Sequence, residues 1–201
     1  MNTDKLQLLL TDIFCGLVEN FESVASTNDV AKEYALQGKE CLITAECQTA
    51  GKGRYDRTFE SRTGGLYMTA CLKVSQQILD GITEKAEEDS PAVFQLGERL
   101  LQYPVQAGEA VRTALEKLYD EPFRIKLPND ILLKNKKVCG ILMEAVPHDD
   151  DIFLIFGIGI NLENELSKEL VNAANLKQLT GKTIEKEILC AAIIQELKKI
   201  L

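Results

Sequence analysis

The chain has 201 residues, enough for one domain with a substantial core, and its 45% hydrophobic content is that of a globular protein. Lysine and arginine total 23 against 31 aspartate and glutamate residues, which gives a net charge of −8. An overall negative field repels nucleic acid, so we expect no nucleic-acid partner. A local cluster of cations then either has a specific role or is simply solvated, and four cations within ten residues of so acidic a chain favour a specific role.

The cysteines and the N-terminus indicate the compartment. Six cysteines are scattered through apolar stretches without a CxxC pair, and the chain has one histidine. Buried thiols in a reducing cytosol fit this pattern better than a zinc site. Asp4 and Asp12 interrupt the N-terminal apolar residues, so this is not a signal peptide, and no apolar run is long enough to span a bilayer. We therefore predict a cytoplasmic protein with no membrane contact.

Hydrophobic periodicity predicts alternating helices and strands. Helical spacing predicts helices over 4–14, 26–38, 105–119, 164–178 and 184–200. Apolar runs bounded by turn residues predict strands over 41–46, 66–74, 123–127, 131–134, 137–146 and 152–163. Thr183 is the predicted N-cap of the last helix. A helical pattern also covers 93–104, where Pro104 should break or kink it, and 75–92 is typical of a polar surface connection.

The segment 48-QTAGKGRYDRTFESRTGG-65 is a glycine-rich loop that carries cations. Gly51 and Gly53 alternate with Lys52 and Arg54, so backbone amides and cationic side chains can approach one anion without crowding by Cβ atoms. No Lys-Ser or Lys-Thr pair follows, as in a P-loop, and no third glycine and helix complete a dinucleotide fingerprint. The pattern indicates a site for phosphate or carboxylate.

Three other polar groups have both a structural and a functional interpretation. Residues 26–29, Ser-Thr-Asn-Asp, have the spacing of a helix capping box, which alone would explain them. Lys126 lies at a strand end beside a Pro-Asn-Asp turn, where a side chain can be aimed into a pocket, although a solvated lysine is the usual case. His148 with the aspartates at 149–151 is better explained as a polar hairpin tip than as a metal site, so we predict no metal-binding residue.

Five blocks, in order, resemble the biotin protein ligases. They are STN at 26–28, QTAGKGRYDR at 48–57, KLPNDI at 126–131, KVCGILME at 137–144 and GIGIN at 157–161. The resemblance implies an α/β fold with a mixed β-sheet backed by helices, of the biotin and lipoate ligase type. It implies a single catalytic domain over residues 1–201. We expect neither the N-terminal helix-turn-helix nor the C-terminal β-barrel domain that such enzymes often carry.

The resemblance also implies roles for individual residues. In these enzymes the ureido end of biotin contacts the residues matched by Ser26, Thr27 and Asn28, and the residue matched by Gln48 bonds to the biotin ring. The implied catalytic cations, which face the carboxylate and the α-phosphate, are Lys52, Arg54 and Lys126. The other implied substrate-binding positions are Gly51, Gly53, Gly140, Leu142, Gly157 and Gly159, where the last two leave space for the ligand ring. The implied nucleotide-binding residues are Arg57, Phe59 and Asn161.

The implied activity is ATP-dependent ligation of biotin to a lysine of a biotin carboxyl carrier domain through biotinyl-AMP, with Mg²⁺ on the leaving pyrophosphate. A ligase for lipoate or another acyl cofactor is the alternative enzyme. Family members commonly have arginine, glycine and tryptophan where Lys52, Asp56 and Phe59 stand, so a noncatalytic biotin-binding protein is a third hypothesis. A homodimer is compatible with each of them.

Overall fold

A computed structural model describes residues 1–55, 57–74 and 102–201 and contains a mixed, seven-stranded sheet. The strands are β1 (Leu17–Val24), β2 (Cys41–Gln48), β3 (Leu66–Lys73), β4 (Arg124–Lys126), β5 (Asp130–Leu133), β6 (Lys136–His148) and β7 (Asp151–Ile160). They lie in the order β1-β2-β3-β7-β6-β5-β4. β1 runs parallel to β2, and the other neighbouring strands are antiparallel.

Helices cover both faces of the sheet. They are α1 (Thr3–Leu10), α2 (Thr27–Ala35), α3 (Tyr103–Tyr119), α4 (Leu176–Thr180) and α5 (Lys186–Leu197). The larger core packs α1, α3 and α5 against one face, where Leu115, Phe156 and Ile193 are fully buried. A smaller core packs α2 against the other face, over Ile43 and Phe153. Because side chains alternate along each strand, the same strands supply both cores. On the α2 face, the part of the sheet beyond the end of α2 is left free for a site.

Most of the predicted elements are confirmed, including the strands β2 to β7 and the mixed sheet. α3 begins at Tyr103, and Pro104 lies in its first turn, where a missing N–H costs no helical hydrogen bond. The predicted break or kink concerns the junction of this helix with 93–101, so it remains a prediction. Asp56 and the predicted segments at 75–92 and 93–101 lie outside the described residues. No helix in the described part of the chain is long and apolar enough to cross a membrane.

Several details of the predicted elements are wrong. β1 is missing from the predicted strands because it is an edge strand whose side chains are mostly half-buried or exposed, so its apolar signal is weak. Residues 164–178 do not form a helix, apart from the start of α4, because this segment bonds to β6: Lys137 N donates to Asn172 O and Ala174 N donates to Lys137 O. The last helix has Glu185, not Thr183, at its N-cap.

The turns follow from their residues. Lys134 and Asn135 have φ of 49° and 61°, as a two-residue turn between β5 and β6 requires. His148 pairs with Asp151 across the β6–β7 hairpin, and Asp149 has a φ of 51° at its tip, so this cluster is a hairpin tip as predicted. The thiols were predicted to be buried, and those at 41, 71, 139 and 190 are, whereas those at 15 and 47 are exposed and half-buried.

Candidate active site

A cavity of about 250 Å³ opens on the α2 face, beside the glycines of β6 and β7. Most of the predicted site residues line it: Ser26, Thr27, Asn28, Gln48, Lys52, Gly53, Arg54, Arg57, Phe59, Gly140, Leu142, Gly157 and Gly159. The lining residues that were not predicted are Thr58, Asn129, Asp130, Lys137, Ile141, Ile158 and Leu170. The fold thus brings the separate sequence blocks together in one place.

The loop at 48–61 is an irregular hairpin beside this cavity. Gln48 N donates to Ser61 O (3.0 Å), and Phe59 N donates to Gly51 O (2.9 Å). A Cβ atom on Gly51 would lie 2.5 Å from Phe59 O, so the two sides of the hairpin approach too closely for any other residue there. Gly51 therefore shapes the loop, and it is not among the described residues that line the cavity, so its contact with substrate remains a prediction.

The cations of the loop have partners within the chain. Lys52 Nζ forms an ion pair with Asp29 of α2. The guanidinium carbons of Arg54 and Arg57 lie 5.0 and 5.9 Å from the centroid of the Tyr55 ring, which is 79% exposed. Ion pairs and cation–π contacts at such exposed positions are weak, so these cations can exchange their partners for an incoming anion.

Lys137 brings another cation to the cavity, from β6. Its Nζ lies 2.7 Å from Asp130 Oδ1 and 5.7 Å from the centroid of the Phe59 ring. Lys137 is absent from the predicted site residues, although it is the first residue of the KVCGILME block. That position in a recognised block is the signal that could have identified it.

A β-bulge explains how Lys137 reaches the cavity. Ile131 of β5 pairs with Cys139, whereas the next residue, Leu132, pairs with Lys137, which leaves Val138 as an extra residue in β6. Under strict alternation Lys137 would share the helix-packed face with Cys139. The extra residue turns the lysine to the α2 face.

Lys126, one of the two lysines predicted to be catalytic, lies next to the cavity but not in its lining. It is an exposed residue of the edge strand β4, and it pairs with Asp130 in the strand register. Lys126 is not among the described side chains that line the cavity. Its catalytic role remains a prediction, and the geometry favours Lys137 for a contact with a bound anion.

The buried end of the cavity is neutral and polar. Thr27 N and Oγ1 donate to Gln48 Oε1 (2.8 and 3.1 Å), and Gln48 Nε2 donates to Ser61 Oγ (2.8 Å). Thr69 Oγ1, on β3, lies 2.8 Å from Thr27 Oγ1. Thr69 is absent from the predicted site because an isolated threonine in an apolar strand carries no sequence signal. These groups suit a neutral ligand rich in donors and acceptors.

Ser26 stands at the N-cap of α2, but its side chain makes no capping hydrogen bond. The predicted capping box is therefore wrong. Ser26 is only 2% exposed and lines the cavity. Its hydroxyl is available to the site because the helix does not use it.

Other groups approach the backbone of Gly157 and Gly159 closely, as expected. These groups are side chains of the protein itself. A Cβ atom on Gly157 would lie 2.0 Å from Asn28 Oδ1, and one on Gly159 would lie 2.5 Å from Phe59 Cε1. Phe59 Cε2 is 3.0 Å from the equivalent atom on Gly140. The Phe59 ring thus covers the glycine surface between β6 and β7. Contact of these glycines with a ligand ring remains a prediction.

Tyr67 supports Phe59 from β3. The two rings meet edge to face with centroids 6.4 Å apart. The Tyr67 hydroxyl donates to Arg62 O (2.6 Å), and burial raises the pKa of Tyr67 well above its ordinary value. Tyr67 is therefore a permanent donor that fixes the end of the loop.

Asn161, predicted to contact the nucleotide, is buried at the end of β7. Its backbone N–H donates to Val138 O (2.8 Å), and its Oδ1 accepts from Asn164 Nδ2 (3.2 Å). Asn161 is not among the described residues that line the cavity. Its role toward a nucleotide remains a prediction.

Comparison with known proteins identifies the family. The model of the Biotin/lipoate A/B protein ligase family matches residues 20–161, more than half of the chain. The chain belongs to this family. The bifunctional ligase/repressor BirA of Bacillus subtilis is 31% identical over 182 residues, which cover 87% of this chain and 49% of that protein. The chain spans about half the length of the curated relatives it matches.

Solved structures of the family share the fold. The biotin protein ligase from Aquifex aeolicus in complex with biotin and ATP is 30% identical and superposes with a TM-score of 0.67, over 91% of this chain and 69% of that chain. The enzyme from Leishmania major in complex with biotinyl-5-AMP is 26% identical with a TM-score of 0.72, over 93% of this chain and 75% of that chain. The seven-stranded mixed sheet with flanking helices is therefore the architecture of biotin protein ligase catalytic domains.

Proposed function

We propose that the protein joins biotin to a lysine of an acceptor protein through biotinyl-AMP, in two steps of which the first consumes ATP. The observation that carries this proposal is the distribution of polarity around the cavity. The buried end offers the neutral groups of Thr27 and Gln48, and the more exposed part offers Lys52, Arg54 and Lys137. A neutral polar ring that bears a carboxylate tail, such as biotin, fits this arrangement.

In the first step a carboxylate oxygen of biotin attacks the α-phosphorus of ATP, an acyl–phosphate bond forms, and pyrophosphate leaves. Both reacting groups are negative, so their repulsion is the main obstacle, and cations fixed around them lower the barrier. We assign this role to Lys52, Arg54 and Lys137, which line the cavity. Arg57, also in the lining, would contact the phosphates.

Mg²⁺ would accompany the nucleotide. Asp130 is the one carboxylate among the described residues that line the cavity, and Lys137 already pairs with it. The described part of the chain has no group of three side chains that could hold a metal ion. These donors suit a Mg²⁺ ion carried chiefly by phosphate oxygens and water, which is its usual coordination at nucleotide sites.

In the second step the ε-amine of an acceptor lysine attacks the activated carbonyl carbon, and AMP leaves with the electrons of the broken acyl–phosphate bond. A biotin carboxyl carrier domain is the acceptor that we propose. Relatives described as biotin protein ligases support a protein acceptor. The cations that neutralise the phosphate in the first step would also stabilise AMP as it leaves.

A lipoate ligase is the alternative enzyme within the same family. The dithiolane ring of lipoate has no N–H or carbonyl group. Thr27 and Gln48 bond to each other and Gln48 bonds to Ser61, but the second N–H of Gln48 Nε2 and the lone pairs of Thr27 Oγ1 would gain no partner from this ring. Burying that unused capacity costs free energy. The neutral polar end of the cavity therefore favours biotin.

A noncatalytic biotin-binding protein is the second candidate function. It is favoured by the ion pair between Lys52 and Asp29 and by the stacking of Arg54 and Arg57 on Tyr55. If these contacts persisted in the complex, the acid would bind but the α-phosphate would lack its cations.

The deciding experiment is mass-spectrometric detection of acyl-AMP. The purified chain is incubated with Mg²⁺-ATP and either biotin or lipoate, and each acid is also titrated by calorimetry. We expect biotinyl-AMP. Lipoyl-AMP alone would assign the alternative enzyme, and tight binding of biotin without an adenylate would assign the noncatalytic function.

A further inference from the structure

We propose that Glu144 is a specificity-determining positioning residue, whose carboxylate fixes the orientation of the Asn28 amide and thereby the donor and acceptor pattern at the buried end of the cavity. The identity of the ligand in this inference rests on the proposed function. Glu144 lies two residues after Leu142 on β6, on the same face of the sheet.

Groups from three strands hold the Asn28 side chain. Asn28 Nδ2 donates to Glu144 Oε2 (2.9 Å) on β6, and Asn28 Oδ1 lies 2.8 Å from Thr69 Oγ1 on β3. On β7, Gly157 has no side chain, so the Asn28 amide can pack directly against its backbone. A Cβ atom at this position would lie 2.0 Å from Asn28 Oδ1. The amide is therefore buried, at 4% exposure, and held on every side that these strands present.

Glu144 decides which way this amide faces. A carboxylate can only accept hydrogen bonds, so the NH₂ group of Asn28 must point toward it, and the carbonyl oxygen must then point toward Thr69. The second carboxylate oxygen, Glu144 Oε1, pairs with Lys32 Nζ at 2.5 Å. Neither oxygen can supply a proton to the Asn28 carbonyl, so the opposite amide orientation has no donor from this side.

The amide orientation propagates to Thr27. Thr69 has one hydroxyl hydrogen and two acceptors at 2.8 Å, Asn28 Oδ1 and Thr27 Oγ1. When it donates to Asn28, the lone pairs of Thr27 Oγ1 remain free to accept an N–H from a ligand. With the amide reversed, the Thr69 hydrogen would turn to Thr27 and fill one of the two lone pairs, so the ligand would lose one of its two acceptor positions there. The fixed pattern therefore selects a head group that has an N–H donor, such as the cyclic urea of biotin.

Glu144→Gln is the decisive variant, because it keeps the size of the side chain but adds a donor that permits both amide orientations. Dissociation constants for biotin, lipoate and pyrophosphate are measured by calorimetry on the whole chain. We expect weaker biotin binding, by about tenfold, which is the scale of one net hydrogen bond. Binding of lipoate and of pyrophosphate should be unchanged, so the preference for biotin falls by the same factor.

Lys32→Gln is the matched control, because it removes the other partner of Glu144 and leaves the bond to Asn28. It should change the biotin dissociation constant by no more than about fivefold, as expected for a partly exposed ion pair. Unchanged biotin binding in Glu144→Gln would overturn the inference. An equal loss for biotin, lipoate and pyrophosphate would also overturn it, because that is the result of a general structural defect.

A second readout separates this inference from the proposed function. The hydrogen exchange of the Asn28 side-chain NH₂ is followed by NMR in the protein without ligand. We expect protection in the native chain and loss of protection in Glu144→Gln. If the native chain bound neither acid, the proposed function would fail while this readout still tested the positioning role, and unchanged protection would overturn the role whatever the ligand.

Discussion

The Phe59 ring packs directly against the backbone of Gly159, so closely that a Cβ atom on the glycine would lie 2.5 Å from Cε1 of the ring. Real Cβ contacts are never this close, so any side chain at position 159 must move the ring. Because Phe59 is part of the loop beside the cavity, the size of the side chain at position 159 controls the position of that loop.

Gly159→Ala should therefore displace Phe59 and weaken biotin binding by at least about tenfold, with a loss of stability of about 1–3 kcal/mol from overpacking. Calorimetric titration and thermal unfolding would measure the two effects. Gly108→Ala in α3 is the control, because the new Cβ atom would lie an ordinary 3.5 Å from the Ile125 side chain of β4. It should keep native binding. Native biotin affinity in Gly159→Ala would show that Phe59 does not shape the site.

Replacement of the two lysines should separate their roles. Lys137→Met removes a cation from the cavity, and the rate of pyrophosphate release should fall by about a hundredfold, as for other preorganised charges. Lys126→Met removes an exposed cation outside the lining, and the loss should be clearly smaller. Steady-state assay of pyrophosphate with saturating biotin tests both. The reverse order of effects would return the catalytic role to Lys126.

Tyr55 should matter for the nucleotide and not for biotin. Its ring lies beside Arg54 and Arg57, and it has a φ of 56°, an uncommon conformation for a bulky residue. Tyr55→Ala should raise the KM for ATP by about two- to fivefold, the worth of an exposed cation–π contact. Tyr55→Phe keeps the ring but removes the exposed hydroxyl that accepts from Arg54 Nη2 (3.2 Å), so its KM should lie closer to the native value than that of Tyr55→Ala. An equal effect of the two variants would show that stacking does not preorganise the arginines.

Stability should fall in acid through Glu196. Hydrogen bonds from Lys117 and then Lys199 lower the pKa of Glu196 below its ordinary value of 4.5. Because the folded-state pKa is the lower one, this stabilisation is fully present above the unfolded-state pKa and is lost as the pH falls through the folded-state pKa. Glu196→Gln should lower the melting temperature at pH 7, and the difference should shrink below about pH 4.5. A difference that stayed constant down to pH 3 would exclude this linkage.

Regular alternation made much of the fold predictable. The segment from Ile131 to Asn161 shows apolar alternation and two polar turns, and the structure has the corresponding antiparallel hairpins. The helix predicted over residues 164–178 was wrong because tertiary contacts outweighed the local pattern. Their apolar spacing is helical, but Asn172 O accepts from Lys137 N, so tertiary contacts with β6 replaced the local helix.

The site was predictable in composition but not in its internal contacts. The glycines at 157 and 159 signalled close approach, yet nothing in the sequence says that Asn28 and Phe59 make it. The same limit applies to Thr69 and Glu144, which contact Asn28 from strands distant in sequence. Such contacts depend on strand order, and strand order is set by the whole sheet.

The number of residues between Lys137 and Cys139, which Val138 sets, bears on whether the lysine charge faces the site. β7 holds β6 residue for residue from Cys139 to His148, so the glycine side of the site cannot slip. Deleting Val138 would leave that part in place and make Lys137 the neighbour of Cys139, so simple alternation would keep the lysine on the α2 face, opposite Leu132. A strand that kept Val138 in a regular ladder would instead point the ammonium toward the apolar helices. The irregular pairing, and not the lysine alone, thus keeps this cation in the cavity and out of the core.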